Sequence, residues 1–119
     1  NILKRLKTGQ AKITPGFALP ASFVIHTVGP IWSGGEQGEP ELLESCYNSC
    51  LKLAEQHEFK TLAFPAISCG VYGYPNEEAV KIALKTVSEW SGDHLIQVLF
   101  VCFSKHMQAL YKKELQDLS

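Results

Sequence analysis

The run Ser68-Cys69-Gly70-Val71-Tyr72-Gly73 holds the residue types in this chain best suited to chemistry. Gly70 and Gly73 carry no side chains, so backbone N–H groups there can turn inward and approach an anion closely. A helix start follows within a few residues and adds its own unpaired N–H groups and partial positive charge. No Lys or Arg lies between Ala66 and Ala79. An anion would therefore be held by amides alone. Tyr72, between the glycines, could lay its ring over a sugar or base. The pattern is not the Walker loop, because Tyr74 follows Gly73 where Lys-Ser or Lys-Thr is needed. Nor is it the dinucleotide G-x-G-x-x-G. Taken alone, a G-x-x-G after a strand also describes a plain tight turn.

Cys69 beside an amide nest is a candidate thiolate. A cysteine phosphatase would want an arginine closing the same loop, and here Gly, Val, Tyr, Gly, Tyr and Pro follow. A small, partly buried spacer is the preferred reading. The other cysteines, Cys46, Cys50 and Cys102, form no C-x-x-C pair, and His26, His57, His94 and His106 match no zinc spacing. No metal site and no cofactor are expected. Cys46 and Cys50, four apart, share one face of a helix and point inward. Four unpaired cysteines suit a reduced, intracellular setting, cytoplasmic or nuclear.

The elements that must position the loop alternate. "NILKRLK" resembles the tail of a helix. A short strand is expected at residues 11–14 and a β-rich run at 23–28, closed by Gly29-Pro30. His26 sits in that run and is expected to be packed or hydrogen-bonded within the sheet. Pro40 opens a helix. Leu43, Cys46, Tyr47, Cys50, Leu51 and Ala54 keep helical spacing to about His57. "TLAFPAI" is a continuous apolar run, expected to be a strand covered on both faces. The glycine loop follows, shaped by Tyr74 and Pro75. A helix then spans about 76–90, with Asn76 as its cap and Glu77 and Glu78 against its dipole. Its buried stripe is Ala79, Ile82, Ala83, Thr86, Val87 and Trp90. "HLIQVLFVCF" is a further apolar strand, and a closing helix takes Ser104 as cap. This order predicts an α/β layered domain whose ligands collect where strand ends lead into helices.

The chain has 119 residues, 45% hydrophobic and 19% charged, with a net charge of −1. That predicts one globular domain able to bury a core without disulfides. Near-neutral charge argues against an electrostatically driven nucleic-acid binder. No run has transmembrane length, and no membrane partner is expected.

"TGQAKITPGFALPASFVIHTVGPIW", "LLESCYNSCLKLAEQH" and "TLAFPAISCGVYGYPNEEA" together resemble the macrodomain family, and more closely its MacroD-type branch. The similarity runs in order along nearly the whole chain. The pairing of "LPASFVIHTVGP" with "FPAISCGVYGYP" is its most specific part. The resemblance implies a three-layer α/β/α fold with a mixed central sheet, residues 1–119 forming a single, partial domain. It implies binding of ADP-ribose or an ADP-ribosylated protein. It also implies metal-independent hydrolysis of ADP-ribosyl groups or of O-acetyl-ADP-ribose.

By the same resemblance Ser68, Cys69, Gly70, Val71, Tyr72 and Gly73 hold the diphosphate and distal ribose. Gly70, Val71 and Tyr72 are foremost among them. Phe103, with Ser104 as a weaker neighbour, lines the adenosine side. Cys69 stands where a small residue, often threonine, is usual. Members of the family carry a stretch before the point where "NILKRLKTGQ" enters. It holds the first strands, an acidic residue for adenine, an asparagine-rich segment and a second glycine-rich loop leading to a helix with an acidic residue. Most catalytic polar groups lie there, so no catalytic acid, base or nucleophile is assigned here. Two alternatives stand beside the hydrolase: a non-catalytic ADP-ribose reader, and an inactive fragment, or one paired with a chain that supplies further strands, for which an uncovered sheet edge would argue.

Overall fold

A computed structural model of the chain describes residues 6–16, 23–95 and 97–118. The first five residues of the expected N-terminal helix tail lie outside them. The order is β1 (Ala11–Pro15), β2 (Phe23–Thr27), α1 (Glu39–Gln56), β3 (Thr61–Phe64), α2 (Asn76–Glu89), β4 (Gln97–Phe100) and α3 (Lys105–Leu118). β1 and β2 pair antiparallel, Ile13 opposite Ile25. β3 and β4 pair parallel, Ala63 opposite Leu99. Among the described residues these are two separate two-stranded sheets.

α1 starts at Gly38, whose φ of +80° favours glycine, with Pro40 in the first turn. Its apolar stripe faces inward as the spacing predicts: Leu43, Cys46, Tyr47, Cys50, Leu51 and Ala54 are buried. Side chains such as Leu43 and Leu51 each contribute roughly 1.5–3 kcal/mol by leaving water. The helix also grips the hairpin: the hydroxyls of Ser45 and Ser49 both donate to the Gly9 carbonyl at 2.9 Å, and the Cys46 thiol, from the buried stripe, donates to the Val28 carbonyl. A run of rings, Tyr47–Phe64–Phe100–Tyr111, with centroids 4.9, 6.0 and 5.0 Å apart, ties α1, β3, β4 and α3 into one core. His26 is hydrogen-bonded within the hairpin, its Nε2 being 2.8 Å from Thr14 Oγ1.

Three expectations need correction. Asn76 does not cap α2. Pro75 holds that position, no side chain caps the helix, and the Ala79 N–H reaches the Pro75 carbonyl at 3.0 Å. The buried stripe of α2 is Ala79, Val80, Ala83, Leu84 and Thr86, with Ile82, Val87 and Trp90 of the expected stripe only half-buried; the helix lies against both α1 and α3. β3 is not covered on both faces: Leu62 and Phe64 turn toward the core while Thr61 and Ala63 are exposed. β4 alternates in the same way, with Leu99 exposed. An unbroken apolar run records what the side chains prefer, not which of them these helices reach.

Candidate functional site

The loop after β3 is built from backbone turns. Ser68 has φ +68°, a left-handed conformation that costs a non-glycine residue roughly 1–2 kcal/mol. It is 7% exposed, and its hydroxyl has no hydrogen-bond partner among the described residues. The Tyr74 N–H donates to the Ser68 carbonyl at 3.1 Å, the Gly73 N–H to that of Gly70 at 2.9 Å, and the Cys69 N–H to that of Ala66 at 3.3 Å. Residues Gly70–Tyr72 thereby form one 3-10 turn between glycines at φ +78° and +73°. The opening amides of such a turn, Gly70 and Val71, have no partner within it, and none outside it among the described residues. A Cβ at Gly70 or Gly73 would meet open space. Val71 is 99% exposed and Tyr72 39%.

A second loop, not foreseen as part of the site, holds this one in place. The Trp32 N–H donates to the Tyr72 carbonyl at 2.9 Å, and the Trp32 ring packs on Tyr74 at 4.7 Å. The Trp32 loop is fixed in turn by Glu39, whose carboxylate accepts from the amides of Ser33 (2.7 Å), Gly35 (3.0 Å) and Gln37 (2.6 Å). Burial pushes that carboxyl up, but the backbone donors outweigh burial and hold it below the usual glutamate range. Gly29 touches the other side of the loop. A Cβ there would overlap Ser68 Oγ and Ile67 Cγ2. The sequence signal for this second wall was Gly29-Pro30 followed by Trp32 and a glycine pair.

A cleft of about 1250 Å³ opens beside the loop, lined by residues 23–29 and 59–65, with Ser68, Tyr72 and Leu99. Of the expected site residues, the fold gathers Ser68, Cys69, Gly70, Val71, Tyr72 and Gly73 on one loop and presents Ser68 and Tyr72 to this cleft. Phe103 and Ser104 follow β4 and do not line it. Phe103 is 84% exposed, and Ser104 caps α3, its hydroxyl accepting from the Met107 N–H at 3.2 Å. Burial pushes the Cys69 thiol up, the opposite of what a nucleophilic thiolate requires. Among the described residues no His, Cys, Asp and Glu side chains cluster to hold a metal, and no helix is long and apolar enough to cross a membrane.

An α/β domain with an open cleft beside a loop of unpartnered amides and no cationic side chain has the arrangement that anion- and nucleotide-binding modules use. Residues 2–83 match the family model "Macro domain", and the chain belongs to that family. It is 55% identical over 111 residues to a macro domain-containing protein of Ralstonia nicotianae, covering 93% of this chain and 64% of that protein. It is 51% identical over 109 residues to an O-acetyl-ADP-ribose deacetylase of Salmonella gallinarum, covering 90% and 61%. The Oceanobacillus iheyensis macrodomain solved with ADP superposes with a TM-score of 0.92 at 42% identity, covering 99% of this chain and 64% of that one. A mutant of that macrodomain has been solved with ADPR. The fold is thus that of macrodomains. The chain spans somewhat less than two thirds of the length of these relatives.

Proposed function

We propose that this domain binds ADP-ribose, free or attached to a modified protein. The observation that carries the proposal is the unpartnered pair of amides at Gly70 and Val71, on a loop with no cationic side chain, next to an aromatic residue and a cleft. In this reading the two N–H groups donate to the diphosphate, and glycine at 70 and 73 lets the oxygens come close. The Tyr72 ring lies against the distal ribose. Phe103 and Ser104 serve the adenosine side, and Cys69 is a spacer. Relatives solved with ADP and ADPR support the choice of ligand.

For the whole protein we propose removal of ADP-ribose from modified proteins or deacetylation of O-acetyl-ADP-ribose, as the Salmonella relative's name suggests. Hydrolysis needs a positioned water and a group to orient it. On this wall of the site the bound diphosphate is the candidate. The loop from Ser68 to Tyr74 carries no carboxylate or imidazole. That favours the reader as the function of residues 1–119 by themselves.

The test is calorimetric titration with ADP-ribose. Gly70→Glu places a carboxylate where the diphosphate would sit, and binding should weaken by about 100-fold or more, ~2.7 kcal/mol. Gly34→Glu is the control, since Gly34 has φ +91° and equally open surroundings. Equal affinity in Gly70→Glu and the unaltered chain would sink the assignment. Turnover of O-acetyl-ADP-ribose by a chain that binds ADP-ribose would then separate enzyme from reader.

A further inference from the structure

Among the described residues two buried polar side-chain atoms have no hydrogen-bond partner, Ser68 Oγ and Trp90 Nε1. The first lies on the glycine loop. The second closes α2, a helix of 14 residues and so about 21 Å long, whose other end starts beside that loop. A buried donor without an acceptor is costly. The core against which Trp90 packs gives its indole N–H no acceptor. Trp90 also lines a separate cavity of about 330 Å³ between α1 and α2. Glu44 and Asn48 of α1 share its wall with Lys85, Glu89 and Ser91. None of these residues lines the cleft beside the glycine loop.

The charges of this wall are as unspent as the indole N–H. The ion pairs among the described residues are Lys81 with Glu77 and His94 with Glu58, so Lys85 pairs with neither Glu44 nor Glu89. Lys85 and Glu89 are four apart on the helix with the cation nearer the N-terminus, which is the weaker order for a pair. The wall therefore offers an ammonium and an indole N–H to a carboxylate, and two carboxylates to a cation. We propose that this cavity binds a basic amino acid, free or as the C-terminal residue of a peptide. Its α-carboxylate accepts from the Lys85 ammonium and the Trp90 N–H. Its side-chain cation meets the carboxylates of Glu44 and Glu89, with the aromatic ring of Trp90 in the same wall. Two carboxylates against one ammonium leave one negative charge over, which favours a basic amino acid over a neutral or acidic one. The volume is at the small end for a ligand pocket, so it suits one amino acid and not a dinucleotide.

The indole N–H signals of the two tryptophans report on this directly. In a proton–nitrogen correlation spectrum Trp90→Phe removes one of them and so identifies it. Titration of the unaltered chain with L-arginine should move the Trp90 signal downfield, with half-saturation at about 1 mM or below. L-citrulline, which lacks the side-chain charge, and L-argininamide, which lacks the carboxylate, should each bind about tenfold more weakly or worse. Glu89→Gln and Lys85→Met, at exposed positions where the fold has little at stake, should each weaken arginine by about tenfold. Lys81→Met, outside the cavity, should not. Nα-acetyl-arginine separates the two sources: affinity equal to that of arginine points to a peptide C-terminus, and weaker binding to the free amino acid. No movement of the Trp90 signal at about 20 mM arginine would overturn the proposal. So would equal binding of arginine and citrulline, or arginine affinity untouched by both Glu89→Gln and Lys85→Met. The titration needs no ADP-ribose, so this inference and the proposed function fail separately.

Discussion

Among the described residues three loops gather backbone amides, and they differ in what fills them. Glu39 fills the first, accepting from Ser33, Gly35 and Gln37. Glu55 fills the second, accepting from Asp93 (2.7 Å), His94 (2.6 Å) and Leu95 (3.3 Å) across the turn between α2 and β4. The third, at Gly70 and Val71, has no carboxylate of its own. The first two are finished by the protein and serve as fasteners. The third has the same kind of donor with no described partner, and that difference is what the proposed binding role rests on.

The largest expected effect is on ligand binding, from Gly70→Glu, which turns the open cradle into the filled kind. The next comes from the reverse operation at Glu39. Glu39→Gln keeps the shape but removes the charge and sets an amide group against N–H donors. A buried acceptor that no longer satisfies its donors is costly, and Glu39 is almost fully buried. Thermal denaturation should show a clear drop in Tm. ADP-ribose affinity should fall with it, because the Trp32 loop holds Tyr72. The pH dependence carries a sign. The folded carboxyl lies below the ordinary glutamate value of about 4.3. Its stabilisation is therefore complete above that pH and disappears as pH falls through the lowered folded value. Glu39→Gln should flatten the acid limb of the stability curve. An unchanged acid limb would mean the carboxylate is no fastener.

Glu55→Gln should do the same more weakly. Burial raises the Glu55 carboxyl, and the amides of His94, Leu95 and Asp93 with the charge of His94 bring it below the ordinary range. It is only half-buried, so water can replace what the substitution removes. Its Tm should fall less than that of Glu39→Gln, with no effect on ADP-ribose titration. A larger fall than at position 39 would reverse the ranking of the two filled cradles.

The open cradle was legible in the sequence and the filled ones were not. Gly70, Val71 and Gly73 stand out as two glycines after an apolar strand without a lysine, a pattern that by itself also fits a plain tight turn; the resemblance to macrodomains singled it out. α1 was legible because six apolar residues keep helical spacing, and Ser104 because a hydroxyl just before a helix has one favoured partner. Glu55 and its amides are separated by 38 to 40 residues, and nothing local marks a glutamate that will meet them. Asn76 misled because its side chain suits a cap, yet Pro75 before it already supplies the extended backbone that a cap requires. The burial of β3 misled for a different reason. "TLAFPAI" is apolar enough for two covered faces, but coverage belongs to neighbours, and the described helices reach only Leu62 and Phe64. Ser68 gave no signal as a left-handed residue, since its conformation is imposed by the turn that carries Gly70.

The smallest effect is expected at Cys69, and it sharpens the comparison from inside the open loop. A thiolate beside free amides would make the loop a reactive centre, whereas a spacer leaves it a cradle. Burial raises the Cys69 thiol, so at pH 7 it stays protonated. Iodoacetamide should label it more slowly than free cysteine at pH 8, with the rate still climbing above pH 9. Cys69→Ala should leave ADP-ribose affinity within about twofold, because the donors are the main chains of Gly70 and Val71, which the substitution does not touch. A tenfold loss on Cys69→Ala, or labelling faster than free cysteine, would mean that the side chain and not the backbone defines this loop.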